Sequence, residues 1–571
     1  MDNIKYIVVG LYFLFMVIVG FLFKRLNKDE NDYFRSGCQG TWWMVGMSLF
    51  MSSISTQTFV ANAGVAYEAG FSILFIYLAN SVCYLIMFLG VAAWYRQARV
   101  TTFAEIVYDR FGLGFQQFFS YISMITLVLY AGLGLYMLSL FANTVFGFPL
   151  VTLIIAIGFI VLIYTLAGGN WAVLAGDFLQ SLIMVPMILL MAFLALKEIG
   201  GIGSFFSAIN ASEEISRDFA IVTKGRQDGL YGGYWLLGNG LVQVFIILGM
   251  GGGHRFFACK DGKEARKAAL FCMVVSTVCA LVYFIPPMVA RLLHSESVMQ
   301  TGLTAPQDIS YAYMSKLLLP NGLLPLMTVA MFAAQISSLD TALNANSAMF
   351  IKNIYPEIMR LFGKKPSQDH KFLLKLGRLF TLFFGLMVIV FGVYFAKNAG
   401  EKGIFETAFR VTGTLTLPLF IPLFMGFFIP KTPQWSGCLS SVCGLCGSVV
   451  SLRLGFSTHI LALVVSASSS SAFVFSIVFW KGYNSSKKEL ISRLFSRIHR
   501  PVEFSDEIGQ DNDSVLFKVL GILAFALGSM LWFFILFPNT LENKLYIILV
   551  AGFVQIIGLL LMLMRKLLKS N

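Results

Sequence analysis

The sequence predicts an all-α polytopic membrane protein, and three observations predict it. Hydrophobic residues make up 57% of the 571 residues and charged residues only 12%, where soluble domains carry roughly a quarter charged. Apolar runs long enough to cross a bilayer recur from end to end, with nothing between them longer than a loop. Lys and Arg fall between those runs, mainly in alternate loops.

A span needs about 20 mainly apolar residues. Such runs lie near 4–24, 41–66, 70–95, 115–143, 148–167, 172–198, 229–250, 266–292, 323–352, 372–396, 404–429, 434–456, 458–480, 514–537 and 543–564, about fifteen helices by that criterion. The first run lacks an A-x-A cleavage signal and is followed by Lys24, Arg25 and Lys28, so it reads as a retained helix. With the N-terminus outside, segments 24–40, 95–114, 250–266, 353–371, 481–513 and the tail fall in the cytoplasm. These hold most of the basic residues, Arg255, Lys260, Lys487, Lys488, Arg493 and Arg497 among them.

The net charge of +13 never gathers into a patch with interleaved aromatics, so no nucleic-acid partner is expected; the partner is the lipid bilayer. Most of the eight cysteines sit inside apolar runs and read as packing residues, including the Cys443/Cys446 pair. The polar stretch 481–513 reads as a solvated linker, with its basic part lying on anionic lipid as the alternative. Gly251–Gly253 before His254 and Arg255 read as a flexible turn.

Chemistry is expected where a polar group interrupts an apolar run, because a charged side chain at a helix centre costs about 2.5–3.5 kcal/mol. Ser48 to Thr58 is dense in hydroxyls (SLFMSSISTQT), a composition that favours breaking the helix and freeing carbonyls for a cation. Between Ala334 and Asn344, Ser337, Thr341 and Asn344 recur at three- and four-residue steps and share a face, with Ser338 and Asp340 beside it. Oxygen-only ligands suit a hard cation. Tyr164 to Gln180 combines a Gly-Gly turn with a helix carrying Asp177, an acid that needs a cation or a proton. There is no phosphate-binding loop, no H-E-x-x-H and no His beside a nucleophile, so neither ATP drive nor an enzyme is expected.

These three segments, in this order, resemble the solute:sodium symporter family, which includes sodium/galactose, sodium/proline and sialic acid transporters. The resemblance runs from the first helix to about Thr432. It implies a LeuT-type 5+5 inverted repeat, with repeats at 41–198 and 229–429, one extra N-terminal helix within 1–40 and about four extra helices in 434–571. It also implies sodium (Na+) held by the carbonyls of Met51, Ile54 and Ala334 and the hydroxyls of Ser337 and Ser338. A second sodium would involve Asp177, Ser337, Asp340 and Thr341, unless one of the two acids holds a proton. The solute positions are Thr58, Tyr77, Asn80, Gln243, Ser276 and Phe409, with Arg410 either meeting a carboxylate or serving as a gate or snorkelling charge. The implied function is sodium-driven import of a small polar organic solute across the plasma membrane, with a cytoplasmic C-terminus. A proton-coupled relative and a non-transporting solute sensor are the alternatives.

Overall fold

The computed structural model describes residues 10–12, 14–15, 18–19, 38–100, 103–165, 170–222, 230–251, 253–301, 303, 305–367, 369–398, 403–507 and 513–570. Among the described residues the regular structure is all helical, apart from one isolated bridge between Gly40 and Cys259. Ten of their helices are long and apolar enough to cross a membrane. Most of the first expected run, 4–24, lies outside the described residues.

Three expected spans take a different form. The run 41–66 is three helices rather than one: α1 (Trp42–Ser53), α2 (Thr56–Phe59) and α3 (Ala61–Ala69). Next, α4 (Ser72–Ile86) continues through a π-turn at Met87–Val91 to Gln97. The span expected from residue 115 belongs to α5 (Phe103–Phe146), whose path breaks at Gly112, at φ 77° and ψ −178°. A side chain would be strained there, so glycine lets the leading turns fold away from the membrane-crossing part.

After α6 (Leu150–Thr165) and α7 (Asn170–Glu198) come α8 (Gly233–Ile246), α9 (Gly262–Tyr283) and α10 (Ile285–Leu293). Then follow α11 (Leu323–Met349), α12 (His370–Lys397) and α13 (Gly403–Val411). A π-turn at Thr412–Thr416 leads into α14 (Leu417–Phe428), so the run 404–429 carries a π-turn between two α-helical parts.

The outward faces of these helices are apolar: Leu89, Val278, Leu379, Val390 and Leu560 are each at least half exposed. On a soluble monomer such surface would be an anomaly. Against lipid it is matched to its solvent. The interior is closed by small residues and hydroxyls. α15 (Ser436–Arg453) and α16 (Thr458–Phe475) are joined by the Ser440 and Ser469 hydroxyls at 2.8 Å.

The described part of 481–513 is not a plain solvated linker. It forms α17 (Ser485–Ile498), whose Ile491, Leu494 and Ile498 recur on one face and are buried against the protein. The chain ends in α18 (Asp513–Trp532) and α19 (Leu541–Ser570). These two approach so closely that a Cβ on Gly558 would lie 2.5 Å from the Phe525 nitrogen.

Candidate ion and solute site

The site is built around the end of α1. Ser52 and Ser53 turn their hydroxyls back to the carbonyls of Ser48 and Phe50, at 2.8 and 2.6 Å. Such bonds compete with the helical ladder and bend it. The helix stops at Ile54 (φ −105°, ψ 117°) and Ser55 (φ −137°, ψ −177°), both extended. Ser55 then caps α2, its hydroxyl accepting from the Gln57 amide at 3.2 Å. The break expected within Ser48–Thr58 is therefore present. It falls on Ile54 itself, just after Met51.

The break is fixed from two sides. Thr56 donates to Gln335 on α11 at 2.5 Å and lies 3.4 Å from the Gly134 carbonyl of α5. Gln335 is buried and adjacent to Ala334, so α11 meets the first helix at the turn that carries the hydroxyl motif. Ser338 is half-buried on α11. The side chains of Ala334, Ser337, Asp340 and Thr341 lie outside the described ones. Gln335 was not singled out in the sequence, although it sits inside the motif.

Asp177 has a partner that the sequence did not reveal. It is 2% exposed on α7, accepts from the Ser48 hydroxyl at 2.6 Å, and its Oδ2 lies 3.3 Å from an Arg255 guanidinium nitrogen. Arg255 is itself only 5% exposed. Arg255 is thus an internal ion-pair partner rather than a charge on a flexible turn. Residues 253–258 form a short 3-10 helix, tied down by the Arg96 guanidinium donating to the Cys259 carbonyl at 2.7 Å. One turn beyond Asp177, the buried Gln180 presents an Oε1 without a protein donor.

Of the expected solute residues, Thr58 and Tyr77 come together. The Tyr77 hydroxyl donates to Thr58 at 3.4 Å and accepts from the Asn62 amide at 2.8 Å. Asn62 was the residue missed here, its Oδ1 buried and without a donor, as is Oδ1 of the half-buried Asn80. Aromatic rings wall this cluster: Tyr77 packs on Tyr283 and Phe284 at 5.8 and 5.2 Å, and Phe59 on Tyr311 at 5.0 Å. Ser276 is buried on α9, and Gln243 is half-buried on α8. Phe409 is buried on α13, stacked on Phe405 at 6.0 Å. Arg410 is exposed. Successive helical residues point about 100° apart, so Arg410 does not share the direction of its buried neighbour.

The short 3-10 helix Pro306–Ile309 packs against α3 at Gly64, in its first half. Asp308, 2% exposed, accepts from the Ile404 amide in the first turn of α13 at 2.9 Å. A Cβ on Gly64 would sit 2.5 Å from its Oδ1, so α3 must carry glycine at that contact. Burial pushes the Asp308 carboxyl up to about 8, with the Ile404 amide opposing. A carboxyl raised by folding contributes most when protonated, and that contribution is lost as pH rises towards the folded value. Asp308→Asn keeps an acceptor for Ile404 without the charge. The variant should therefore melt above wild type at pH 9, the gap closing below about pH 5; a pH-independent gap in the melting curves would refute this.

The sequence profile described as the sodium:solute symporter family matches residues 33–444. The chain belongs to the sodium:solute symporter family. This symporter is 26% identical to the rat sodium/glucose cotransporter 2 over 470 residues, covering 75% of this chain and 68% of that protein. It is 27% identical to the bovine sodium/myo-inositol cotransporter 2 over 498 residues, covering 79% and 70%. To the Vibrio parahaemolyticus sodium/glucose cotransporter it is 23% identical over 448 residues, covering 74% and 79%. A solved Na+-coupled sialic acid symporter, described as a substrate-bound outward-open state, superposes with a TM-score of 0.69 at 20% identity, covering 84% of this chain and 98% of that one. That likeness shows the fold. The protein is thus a multi-pass membrane transporter with sodium as its coupling ion, and not an enzyme.

Proposed function

We propose that this symporter imports a small, neutral, polyhydroxylated solute by alternating access, with one sodium held by the Met51, Ile54 and Ala334 carbonyls and the Ser337 and Ser338 hydroxyls. The observation that carries the reading is the extended step at Ile54–Ser55, held against α11 through Thr56 and Gln335. A helix interrupted inside a membrane protein is tolerated where its freed carbonyls have a partner. Oxygens from two elements suit sodium.

The proposal includes two inverted five-helix repeats, 41–198 and 229–429, an outside N-terminus and a cytoplasmic C-terminus in the plasma membrane. The basic segments near Arg255, Lys260 and Arg497 then face the cytoplasm. A second sodium at Asp177, with Ser337, Asp340 and Thr341, competes with the Arg255 guanidinium, which lies 3.3 Å from Oδ2 in this conformation. The solute class follows from the Thr58–Tyr77–Asn62 cluster and the neighbouring Asn80: the buried amide oxygens of Asn62 and Asn80 call for hydroxyl donors, and Arg410 is exposed. The relatives named for glucose and myo-inositol support this class.

One sodium descending about 100 mV and a tenfold gradient releases about 2.3 plus 1.4 kcal/mol. That sustains roughly 500-fold accumulation of a neutral solute.

Thermal unfolding with sugars, polyols, sugar acids, monocarboxylates and amino acids, each with and without sodium, tests the reading. A neutral polyol at 100 times its Kd should stabilise by about 2.7 kcal/mol in sodium and much less in choline. Stabilisation confined to anionic solutes, or indifferent to sodium, would overturn it.

A further inference from the structure

The Ser485–Glu507 segment and Asp513 do more than connect helices. Three separate elements receive their contacts. The leading leg of α5 contributes Asp109, which pairs with Arg497. The end of the α4 span contributes Arg99, whose guanidinium meets Glu507 at 2.6 Å and donates to the carbonyls of Arg500 and Pro501 at 3.2 and 2.9 Å. Arg99 is held at φ 55°, a left-handed conformation that a residue with a Cβ rarely adopts. The third element is the short segment after α8: Lys260 pairs with Asp513 at 2.6 Å and lies over the Phe504 ring at 5.4 Å. Five residues before Lys260 stands Arg255, the partner of Asp177.

We propose that Ser485–Glu507 with Asp513 forms a clamp on the gate at this face. It holds the 253–260 segment, and with it the Arg255–Asp177 pair, in the closed position. Opening towards this face then requires the Lys260–Asp513 and Arg99–Glu507 ties to part. The inference rests on the alternating-access reading only in calling the segment a gate. These pairs are partly hydrated, with side chains 11–32% exposed, so they can be broken by substitution or by salt without emptying a core.

The test is hydrogen exchange on the full chain in nanodiscs, without sodium or solute, so that its failure is distinguishable from failure of the transport reading. Asp513→Asn with Glu507→Gln should raise exchange in 253–260 at least tenfold while leaving 61–69, at the other side of the break, unchanged. The swap Lys260→Asp with Asp513→Lys should restore the wild-type rate to within about twofold. In the wild type, raising choline chloride should mimic the double variant, which keeps the proposal testable if a variant folds poorly. Unchanged exchange at 253–260, or an equal rise in 253–260 and 61–69, would overturn the clamp, as would a swap that restores nothing.

Discussion

Replacing Ser337 and Ser338 together by alanine should abolish sodium-driven uptake in proteoliposomes. Two of the five proposed oxygen ligands would be lost, and a bond to a charged partner contributes about 1.5–3 kcal/mol. The pair is then worth about 3–6 kcal/mol, or roughly 10²–10⁴-fold in sodium affinity. At physiological sodium the site would stand empty. Two alanines in a helix favour the fold, so assembly and thermal stability should be retained. Uptake equal to wild type would remove these residues from the sodium site.

The second large effect is expected at Arg255. In Arg255→Ala the buried Asp177 carboxylate loses its guanidinium partner, and breaking a buried ion pair from one side costs about 3–5 kcal/mol. The double variant Asp177→Asn with Arg255→Gln should recover most of that stability, since no charge remains to be compensated. Sodium should stabilise Arg255→Ala more than wild type, because the guanidinium no longer competes with the ion for the carboxylate. If thermal unfolding shows the single variant to be as stable as wild type, the pair is not the restraint described. If sodium has no extra effect, Asp177 is not a second sodium ligand.

Much of the architecture was legible because the bilayer imposes a simple rule. Apolar length marks a span, and ten of the expected runs are helices of spanning length among the described residues, whereas Leu150–Leu162, Gly233–Gly249 and Leu323–Phe332 are shorter. The break was legible too, because Ser48, Ser52, Ser53 and Ser55 are costly in a plain membrane helix. What stayed hidden depended on partners far apart in the chain. Arg255 reads as a topology signal until the fold brings it to Asp177, 78 positions away. Helix α17 reads as polar linker because only Ile491, Leu494 and Ile498 declare its buried face. Arg410 and Phe409 read as neighbours, yet adjacent positions on a helix do not face the same way. The Tyr77–Asn62 bond joins the solute cluster across two helices, and only Tyr77 stood out beforehand.

The interrupted first core helix also bears on how the chain enters a membrane. At 1.5 Å per residue, the twelve residues of α1 reach only about 18 Å, well short of the roughly 30 Å hydrocarbon core. Neither half of 42–69 can partition as a self-sufficient span. The first half is completed by later helices: Trp42 packs edge-on to Phe271 of α9 at 5.5 Å, and a Cβ on Gly46 would clash with the same ring at 2.8 Å. Insertion of this region is thus an assembly event that waits for residues synthesised more than two hundred positions later. A lesion in α9 that spares every ion and solute ligand would act first on biogenesis.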